Sequence, residues 1–287
     1  MSEEKSKSDL NVCFICGAPH SGSTLLGLLL GSHSQCFYAG EANKVKFLNK
    51  NKNHPDRFCK ICGPDCEIWG DFLYKKNTNL YNWLFKKTLK PIIIDSTKNL
   101  EWIEMQIKRL RKHRTEIYLI YLLRDGRAVI NSRLRKYKNS EPIDLINEWV
   151  THVENTNHFF QNFDGHKLKM HYEDLAIDPE KSITSACKFL KIDYEPPMLH
   201  YYTHNHHPLG GNTGTQSLII KAQKPRLKNQ FIHLSERNEY YYADHPLSIK
   251  LDFRWKEELD PEIQNLFEKH AGHINEDLKR DNNKTNV

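Results

Sequence analysis

The sequence predicts an α/β fold, a P-loop-like parallel β-sheet flanked by helices. Short apolar runs that end at polar or glycine-containing turns alternate along the chain with longer stretches of helical periodicity, a pattern typical of βαβ units. The first turn, GAPHSGST at 17–24, has the glycine spacing of a nucleotide-binding P-loop, with Ser23 in the position of the usual lysine. A chain of 287 residues is long enough to bury a substantial core.

Four strands, each followed by a helix, are expected in chain order. NVCFICGAP (11–19) is a buried strand ending at a turn, and SGSTLLGLLLGSH (21–33) is a helix. Ile92–Ile94 form a β-branched strand before a helical pattern from Leu100 to Leu110. Ile117–Leu123 form the third strand, with a helix from Arg127, and residues 166–192 supply the fourth strand and helix. Ligands of such sheets bind at the carboxyl ends of the strands.

Composition indicates one globular domain over residues 11–272, with polar, disordered tails at 1–10 and 273–287. A net charge of +6 suits an anionic small ligand better than a nucleic acid, since the basic residues are dispersed. No apolar run approaches the roughly 20 residues of a membrane span, and the N-terminus lacks the apolar segment of a secretory signal. With only seven, unevenly spaced cysteines, we expect a cytoplasmic protein.

The loop GAPHSGST is expected to hold an oxyanion. Its glycines let backbone N–H groups curl around an anion, and the following helix adds the positive end of its dipole. Hydroxyl donors come from Ser21, Ser23 and Thr24. A strand-to-helix turn that is simply rich in small residues is the alternative explanation.

A second anion site is expected after the third strand, where Arg124 ends the strand and Ser132 lies on the next helix. A guanidinium suits a phosphate and a hydroxyl can complete the site. Alternatively, Arg124 pairs with Asp125, and Ser132 lies on the surface; for Arg127 a solvated charge is favoured. Two phosphate sites on one sheet edge imply a ligand with two separate phosphates.

These stretches resemble the sulfotransferases that use 3′-phosphoadenosine 5′-phosphosulfate (PAPS). GAPHSGSTLL resembles their 5′-phosphosulfate loop, RDGRAVINS (124–132) their 3′-phosphate motif, and DSTK (95–98) their strand-end serine and lysine. HYEDL (171–175), HHPLGGNTG (206–214) and LDFRWKEELDPE (251–262) are similar to later family segments. The resemblance spans roughly residues 12–270 and needs neither the P-loop lysine nor a metal ion.

The resemblance implies a set of donor-binding residues in this chain: His20, Ser21, Gly22, Ser23, Thr24, Leu25, Ser96, Arg124, Ser132, Tyr172 and Asn212. Three positions depart from the family pattern. His20 replaces a basic residue, so its charge depends on protonation, and Gly126 replaces a proline, which loosens the turn. The late arginine is absent at Thr215, and Arg226 is a candidate replacement.

Transfer of a sulfuryl group requires a base for the acceptor and cations for the leaving oxygens. Glu41, in YAGEANK, resembles the Gly-Glu of the tyrosylprotein and some bacterial branches and is the expected base; a surface carboxylate paired with Lys44 is the alternative. Lys98 is expected to neutralise the transferring group, with His20 as a further catalytic candidate. The acceptor, a hydroxyl or an amine, is not indicated.

Two other functions remain open: a small-molecule P-loop kinase and a catalytically silent nucleotide-binding protein. No metal is expected. Cys59, Cys62 and Cys66 have the spacing of a zinc knuckle or a disulfide-linked loop, but no fourth ligand is evident nearby, and a local structural insert is favoured. The histidines at 204, 206 and 207 lie in a predicted loop and are not expected to bind metal.

Overall fold

The computed structural model describes residues 10–48, 56–75, 78–223 and 231–280. Within these ranges a parallel sheet of five strands has the order β2-β3-β1-β4-β5. The strands are β1 (Asn11–Cys16), β2 (Cys36–Gly40), β3 (Ile92–Asp95), β4 (Glu116–Leu123) and β5 (His166–His171). Strand β1 lies at the centre of the sheet, and the chain adds strands on both sides of it. A ligand of such a sheet binds at the carboxyl ends of the strands, in the crevice beside β1.

Helices cover the sheet in the described ranges. The α-helices are α1 (Ser23–Gly31), α2 (Leu80–Thr88), α3 (Leu100–Arg111), α4 (Gly126–Lys136), α5 (Pro142–Asn162), α6 (Tyr172–Ile177), α7 (Pro179–Phe189), α8 (Thr213–Gln223), α9 (Glu236–Ala243), α10 (Trp255–Glu258) and α11 (Pro261–Asn275). Two 3₁₀-helices span Ala42–Phe47 and Pro196–Thr203. None of the helices in the described ranges combines the length and the apolar content needed to cross a bilayer.

The predicted α/β class and the four predicted strands are confirmed, and the sheet contains a fifth strand, β2, that was not predicted. Its segment, CFYAG, is only five residues long, and all of them are buried. A small-residue contact fixes its place, because a Cβ added at Gly27 of α1 would lie 2.2 Å from the Tyr38 ring. The aromatic pair Phe37–Tyr38 and the terminal Gly40 were the sequence signals for a strand here.

Burial differs across the sheet as its order requires. The central strands β1, β3 and β4 are buried almost throughout, and accordingly are rich in isoleucine, leucine and valine. Strand β5 lies at an edge, is largely exposed, and carries Lys167 and Lys169, side chains that discourage pairing with another strand.

The folded region extends past the expected boundary at residue 272. Helix α11 continues to Asn275, whose side chain is buried, and Leu278 packs into the core. At the other end, Leu10 is buried as well. The remaining parts of the expected tails, residues 1–9 and 281–287, lie outside the described residues.

Candidate active site

The carboxyl ends of all five strands open on one cleft of about 960 Å³. Each strand is followed by a residue that lines it: Pro19 after β1, Glu41 after β2, Lys98 after β3, Arg124 after β4 and Tyr172 after β5. The parallel sheet therefore gathers polar groups that are far apart in sequence.

The loop between β1 and α1 has the backbone of an anion-binding turn. Gly17, His20 and Gly22 have positive φ angles of 140°, 71° and 93°. Glycine suits position 22 because of this positive φ and also because space is lacking: an added Cβ would lie 2.5 Å from Cδ2 of Tyr172. The loop leads directly into α1, so the helix N-terminus at Ser23 points its free N–H groups toward the cleft edge.

Ser21 is the unusual side chain of this loop. It is 1% exposed, and its Oγ has no hydrogen-bond partner in the described part of the chain. A buried hydroxyl without a partner costs free energy, so such a group indicates a ligand that would complete it. Ser23, Thr24 and Leu25, which follow in α1, line the cleft.

Arg124 lies beside the loop and is almost completely buried. Its Nη1 donates to the His20 carbonyl at 2.8 Å, its Nη2 to Asp252 at 3.3 Å, and its guanidinium stacks on the Tyr172 ring at 4.1 Å. Its Nε has no partner among the described groups. The alternative that Arg124 pairs with Asp125 does not hold.

Asp125 instead binds the arginine at 127. The Asp125 carboxylate accepts from Arg127 Nη2 at 2.6 Å and Nε at 3.0 Å, and Arg127 also stacks over Trp255 at 4.2 Å. Arg127 is therefore a structural ion-pair partner that does not line the cleft.

His20 and Ser132 are joined to each other. The distance between His20 Nδ1 and Ser132 Oγ is 2.9 Å, and both residues line the cleft. Burial, together with Lys136, Arg124, Arg133 and Arg135, lowers the pKa of His20 to about 3. The sequence left the charge of His20 dependent on its protonation, and in the ligand-free protein burial and the surrounding cations hold the ring neutral near neutral pH.

Glu41 and Lys98 have an electrostatic interaction with each other. Burial lowers the pKa of Lys98, and the carboxylate of Glu41 is the largest opposing influence. The Lys98 ammonium donates to the Ser96 carbonyl and, at 3.5 Å, to Ile15. Lys98 thus lies where a group held by the first loop would meet a cation.

Glu41 is only weakly engaged with Lys44, its expected surface partner. The Lys44 ammonium lies 4.0 Å from Glu41 but 3.2 Å from Asp56. The Glu41 backbone N–H donates to Leu209 at 2.7 Å, which fixes the main chain while the carboxylate faces the cleft.

Ser96 lies behind the cleft, whereas Asn212 lines it with its side-chain oxygen already engaged. Ser96 is buried outside the cleft, where its Oγ bonds the Tyr38 hydroxyl at 2.8 Å and the Gly40 carbonyl at 3.2 Å. Asn212 lines the cleft, but its Oδ1 accepts from Thr215 N at 2.8 Å and begins α8, while its own N–H donates to Thr24 Oγ1 at 2.9 Å. Arg226 lies outside the described residues.

Several residues that line the cleft were not predicted from the sequence. Arg135, Lys136 and Lys138 line the cleft beside Ser132, and Arg254 lines it from the segment 235–254. The first three stand in RLRKYK, a basic run directly after the RDGRAVINS motif, which was the available signal. His152 of α5 was also missed; its Nε2 lies 3.1 Å from the Gly17 carbonyl and supports the first loop.

Comparison with known proteins identifies the family. A model described as "Sulfotransferase family" matches residues 13–196, more than half of the 287-residue chain. The chain belongs to the sulfotransferase family. This confirms the family predicted from the motifs and, with it, the predicted class of enzyme, a sulfotransferase that uses PAPS.

Curated relatives of this sulfotransferase are distant. It is 25% identical over 196 residues to a putative protein-tyrosine sulfotransferase of Caenorhabditis briggsae, covering 66% of this chain and 68% of that one. It is 25% identical over 230 residues to protein-tyrosine sulfotransferase 1 of Danio rerio, covering 73% and 60%. An uncharacterised Aquifex aeolicus protein is 22% identical over 280 residues, and the matched region is 34% of its length.

Solved structures share the sulfotransferase fold. The sulfotransferase domain from the curacin biosynthetic pathway has a TM-score of 0.53 and 20% identity, with 93% of this chain and 99% of that chain covered. The sulfotransferase domain of the Synechococcus olefin synthase has a TM-score of 0.53 and 19% identity, with 92% and 97% covered. The five-strand parallel sheet with flanking helices is therefore the family fold.

Proposed function

We propose that the cleft binds PAPS, with the 5′-phosphosulfate in the loop 17–24 and the 3′-phosphate at Arg124 and Ser132. The observation that carries the proposal is the anion-binding turn itself: Gly22, Ser23 and Thr24 line the cleft at the start of α1, and the Oγ of Ser21, buried directly behind them, has no partner among the described groups. A phosphate oxygen bound there would accept hydrogen bonds from the Ser21 hydroxyl and from the N–H groups at the start of α1. The adjacent Arg124, whose Nε has no partner among the described groups, would supply the second anion site that a two-phosphate donor needs.

In the proposed reaction, the acceptor oxygen attacks sulfur in line with the bond to the bridging oxygen of the 5′-phosphate. The new O–S bond forms as that bond breaks, and 3′-phosphoadenosine 5′-phosphate (PAP) leaves. The acceptor proton passes to the Glu41 carboxylate, and the Lys98 ammonium neutralises charge that develops on the bridging oxygen. The electrostatic coupling of Glu41 with Lys98 supports this pairing of base and cation.

A small-molecule kinase is less compatible with the strand ends. Kinases with a P-loop hold Mg²⁺ through a carboxylate and reach the phosphates with a lysine. The carboxylate at the end of β3 is Asp95, and both of its oxygens are engaged: Oδ1 by the N–H groups of Ala42 and Thr97, and Oδ2 by the Tyr81 hydroxyl at 2.7 Å. Ser23 in the lysine position adds to this argument.

Calorimetric titration with PAP, ATP and ADP, without added metal, tests the donor. We expect PAP to bind much more tightly than ATP or ADP, because only PAP carries a phosphate at the 3′ position of the ribose as well as at the 5′ position. Preference for ATP would support the kinase instead. PAP binding without turnover in an acceptor screen would support a silent nucleotide-binding protein.

The acceptor screen should start with tyrosine-containing peptides, since two relatives carry protein-tyrosine sulfotransferase names. Other phenols, sugars and amines follow.

For the location we propose a reducing, cytoplasmic compartment. The proposal is supported by the seven cysteines, none of which forms a disulfide with another.

The variant Glu41→Gln tests the base. We expect kcat to fall by about 100-fold or more while PAP affinity stays unchanged, since the amide keeps the shape but takes up no proton. The control is Glu101→Gln, which alters an exposed carboxylate in the first turn of α3 and should leave both values unchanged. Equal kcat in wild type and Glu41→Gln would exclude this residue as the base.

A further inference from the structure

Three cysteines and a histidine converge on one point outside the cleft. One ligand atom from each of Cys59, Cys62, Cys66 and His207 lies within 4.8 Å of the corresponding atoms of the others. His207 Nδ1 is 3.1 Å from Cys62 Sγ and 3.4 Å from Cys66 Sγ. The fourth ligand that the local sequence lacked comes from a loop 141 residues beyond Cys66.

We propose that Cys59, Cys62, Cys66 and His207 bind a structural Zn²⁺ ion. Three sulfurs and one imidazole nitrogen are a recurrent set for a closed tetrahedral zinc site, and soft thiolates favour zinc over magnesium or calcium. In a tetrahedron with Zn–S bonds of about 2.3 Å, ligand atoms lie roughly 3.8 Å apart, a spacing compatible with this cluster.

The local chain has the form of a zinc-binding turn. Cys59 and Cys62 are spaced C-x₂-C and followed by Gly63, which has a φ of 80° and donates its N–H to the Cys59 carbonyl at 2.7 Å. That turn directs both sulfurs to the same side. Cys59 and Cys66 are buried within the hydrophobic core, where thiols that face one another without a metal would gain little.

The surroundings of His207 fit coordination through Nδ1. Its Nε2 lies 3.1 Å from a carboxylate oxygen of Glu67, the arrangement by which a second residue orients a metal-binding imidazole. Its backbone carbonyl accepts from Trp69 Nε1 at 2.6 Å. On binding zinc, the three thiols would release their protons to solvent, and the ring would keep its proton on Nε2, toward Glu67.

The ion would hold a loop that reaches the cleft. Two residues after His207, Leu209 exchanges backbone hydrogen bonds with the edge of β2, at 3.0 Å to Ala39 and 2.7 Å from Glu41. Further along, Asn212 donates to Thr24. Zinc would thus join the cysteine segment to the loop that fixes the Glu41 main chain; this consequence for catalysis rests on the proposed function, whereas the metal site does not.

The first test is metal content of the full-length protein, purified under reducing conditions without chelator. We expect about one zinc ion per chain by elemental analysis. After removal of zinc, Co²⁺ should give the intense thiolate charge-transfer and visible bands of a tetrahedral cobalt site. Absence of zinc, together with failure to take up Zn²⁺ or Co²⁺, would overturn the proposal.

Counting thiols separates the metal site from a disulfide. The denatured, metal-free protein should react with a thiol reagent at all seven cysteines. Five reactive thiols, two fewer than the seven in the sequence, would reveal a disulfide and contradict the zinc site.

Variants of the histidines test the fourth ligand. His207→Ala should lower zinc affinity by more than 100-fold, and His207→Cys should restore it, since four cysteines also bind zinc. The matched control is His204→Ala: His204 lies in the same loop, but its Nε2 faces the Pro197 carbonyl at 3.1 Å. Wild-type zinc affinity in His207→Ala would exclude His207 and the four-ligand site.

Discussion

Arg124 is the cation most firmly built into the candidate active site. It is 7% exposed and held by the His20 carbonyl, Asp252 and the ring of Tyr172. A guanidinium held in this way can bind a phosphate with little further loss of side-chain entropy.

Arg124→Ala should weaken PAP binding by about 2 kcal/mol, roughly 30-fold, through loss of a charge-assisted contact. The control Arg127→Ala removes an arginine three positions away that is paired with Asp125 outside the cleft, so PAP affinity should change little. Calorimetric titration of both variants measures the difference. Equal affinities in wild type and Arg124→Ala would remove Arg124 from the proposed 3′-phosphate site.

His20 is a neutral histidine surrounded by cations. Its folded-state pKa of about 3 lies below the ordinary value of 6.5, so between these pH values the unfolded chain takes up a proton that the folded chain does not. The free energy of unfolding should therefore fall on acidification through this range, by up to about 1.4 kcal/mol per pH unit from this group.

The variant His20→Asn isolates that effect. Asparagine tolerates the φ of 71° and can still reach Ser132, but it does not titrate in this range. Denaturant unfolding at several pH values between 3 and 6.5 should show a shallower pH dependence for the variant than for wild type. Parallel curves would mean that His20 titrates at the same pH in both states.

The sequence could predict which motifs meet at the candidate site, but not the surroundings of each side chain. The motifs placed Ser21, Arg124 and Glu41 at strand ends, which a parallel sheet brings together by its topology. The charge of His20 depends on burial and on basic residues of α4, and the sequence does not give these distances. Ser96 shows the same limit. Successive side chains along an extended segment point in opposite directions, so a shift of one position along the chain changes whether a side chain points into the cleft or behind it.

At the scale of elements, the turn from β4 into α4 is fastened by the last helix. The Gly126 N–H donates to Asn275 Oδ1 at 2.7 Å, and Asn275 Nδ2 donates to Asp125 at 3.1 Å. An added Cβ at Gly126 would lie 2.5 Å from both the Trp149 and the Phe267 rings. The expectation that glycine loosens this turn is therefore wrong, because a neighbouring element fixes it.

Gly126→Pro should lower the free energy of unfolding by about 2–5 kcal/mol, because it introduces a steric clash and leaves Asn275 Oδ1 without its donor. Gly126→Ala keeps the N–H and adds only the Cβ, so it should cost less, about 1–3 kcal/mol. Denaturant titration gives both values. A proline variant as stable as wild type would show that α11 does not constrain this turn.

The elements with strong apolar runs were predictable, whereas β2 was not. Strands β3 and β4 contain consecutive branched residues, while β2 has five residues and depends on contacts with α1, β3 and Leu209. The extent of α11 was likewise set by distant partners of Asn275 and Leu278. Tertiary packing decided both cases, and the local signal, such as Phe37–Tyr38 and Gly40 in β2, was too short to predict the element by itself.

At the scale of the whole molecule, the cleft exists only when the sheet is complete. Its lining residues follow five different strands and extend from Pro19 to Arg254 along the chain. No single helix or loop presents the whole set, and the order of the strands alone explains why the separate motifs meet.

This dependence has a kinetic consequence. If the donor site forms only after the rate-limiting step of folding, PAP stabilises the native state alone and should slow unfolding without accelerating refolding. At a concentration near 100 times the dissociation constant, stopped-flow unfolding should slow by about 100-fold. Refolding that accelerates with PAP would instead show that part of the sheet edge is already assembled in the transition state.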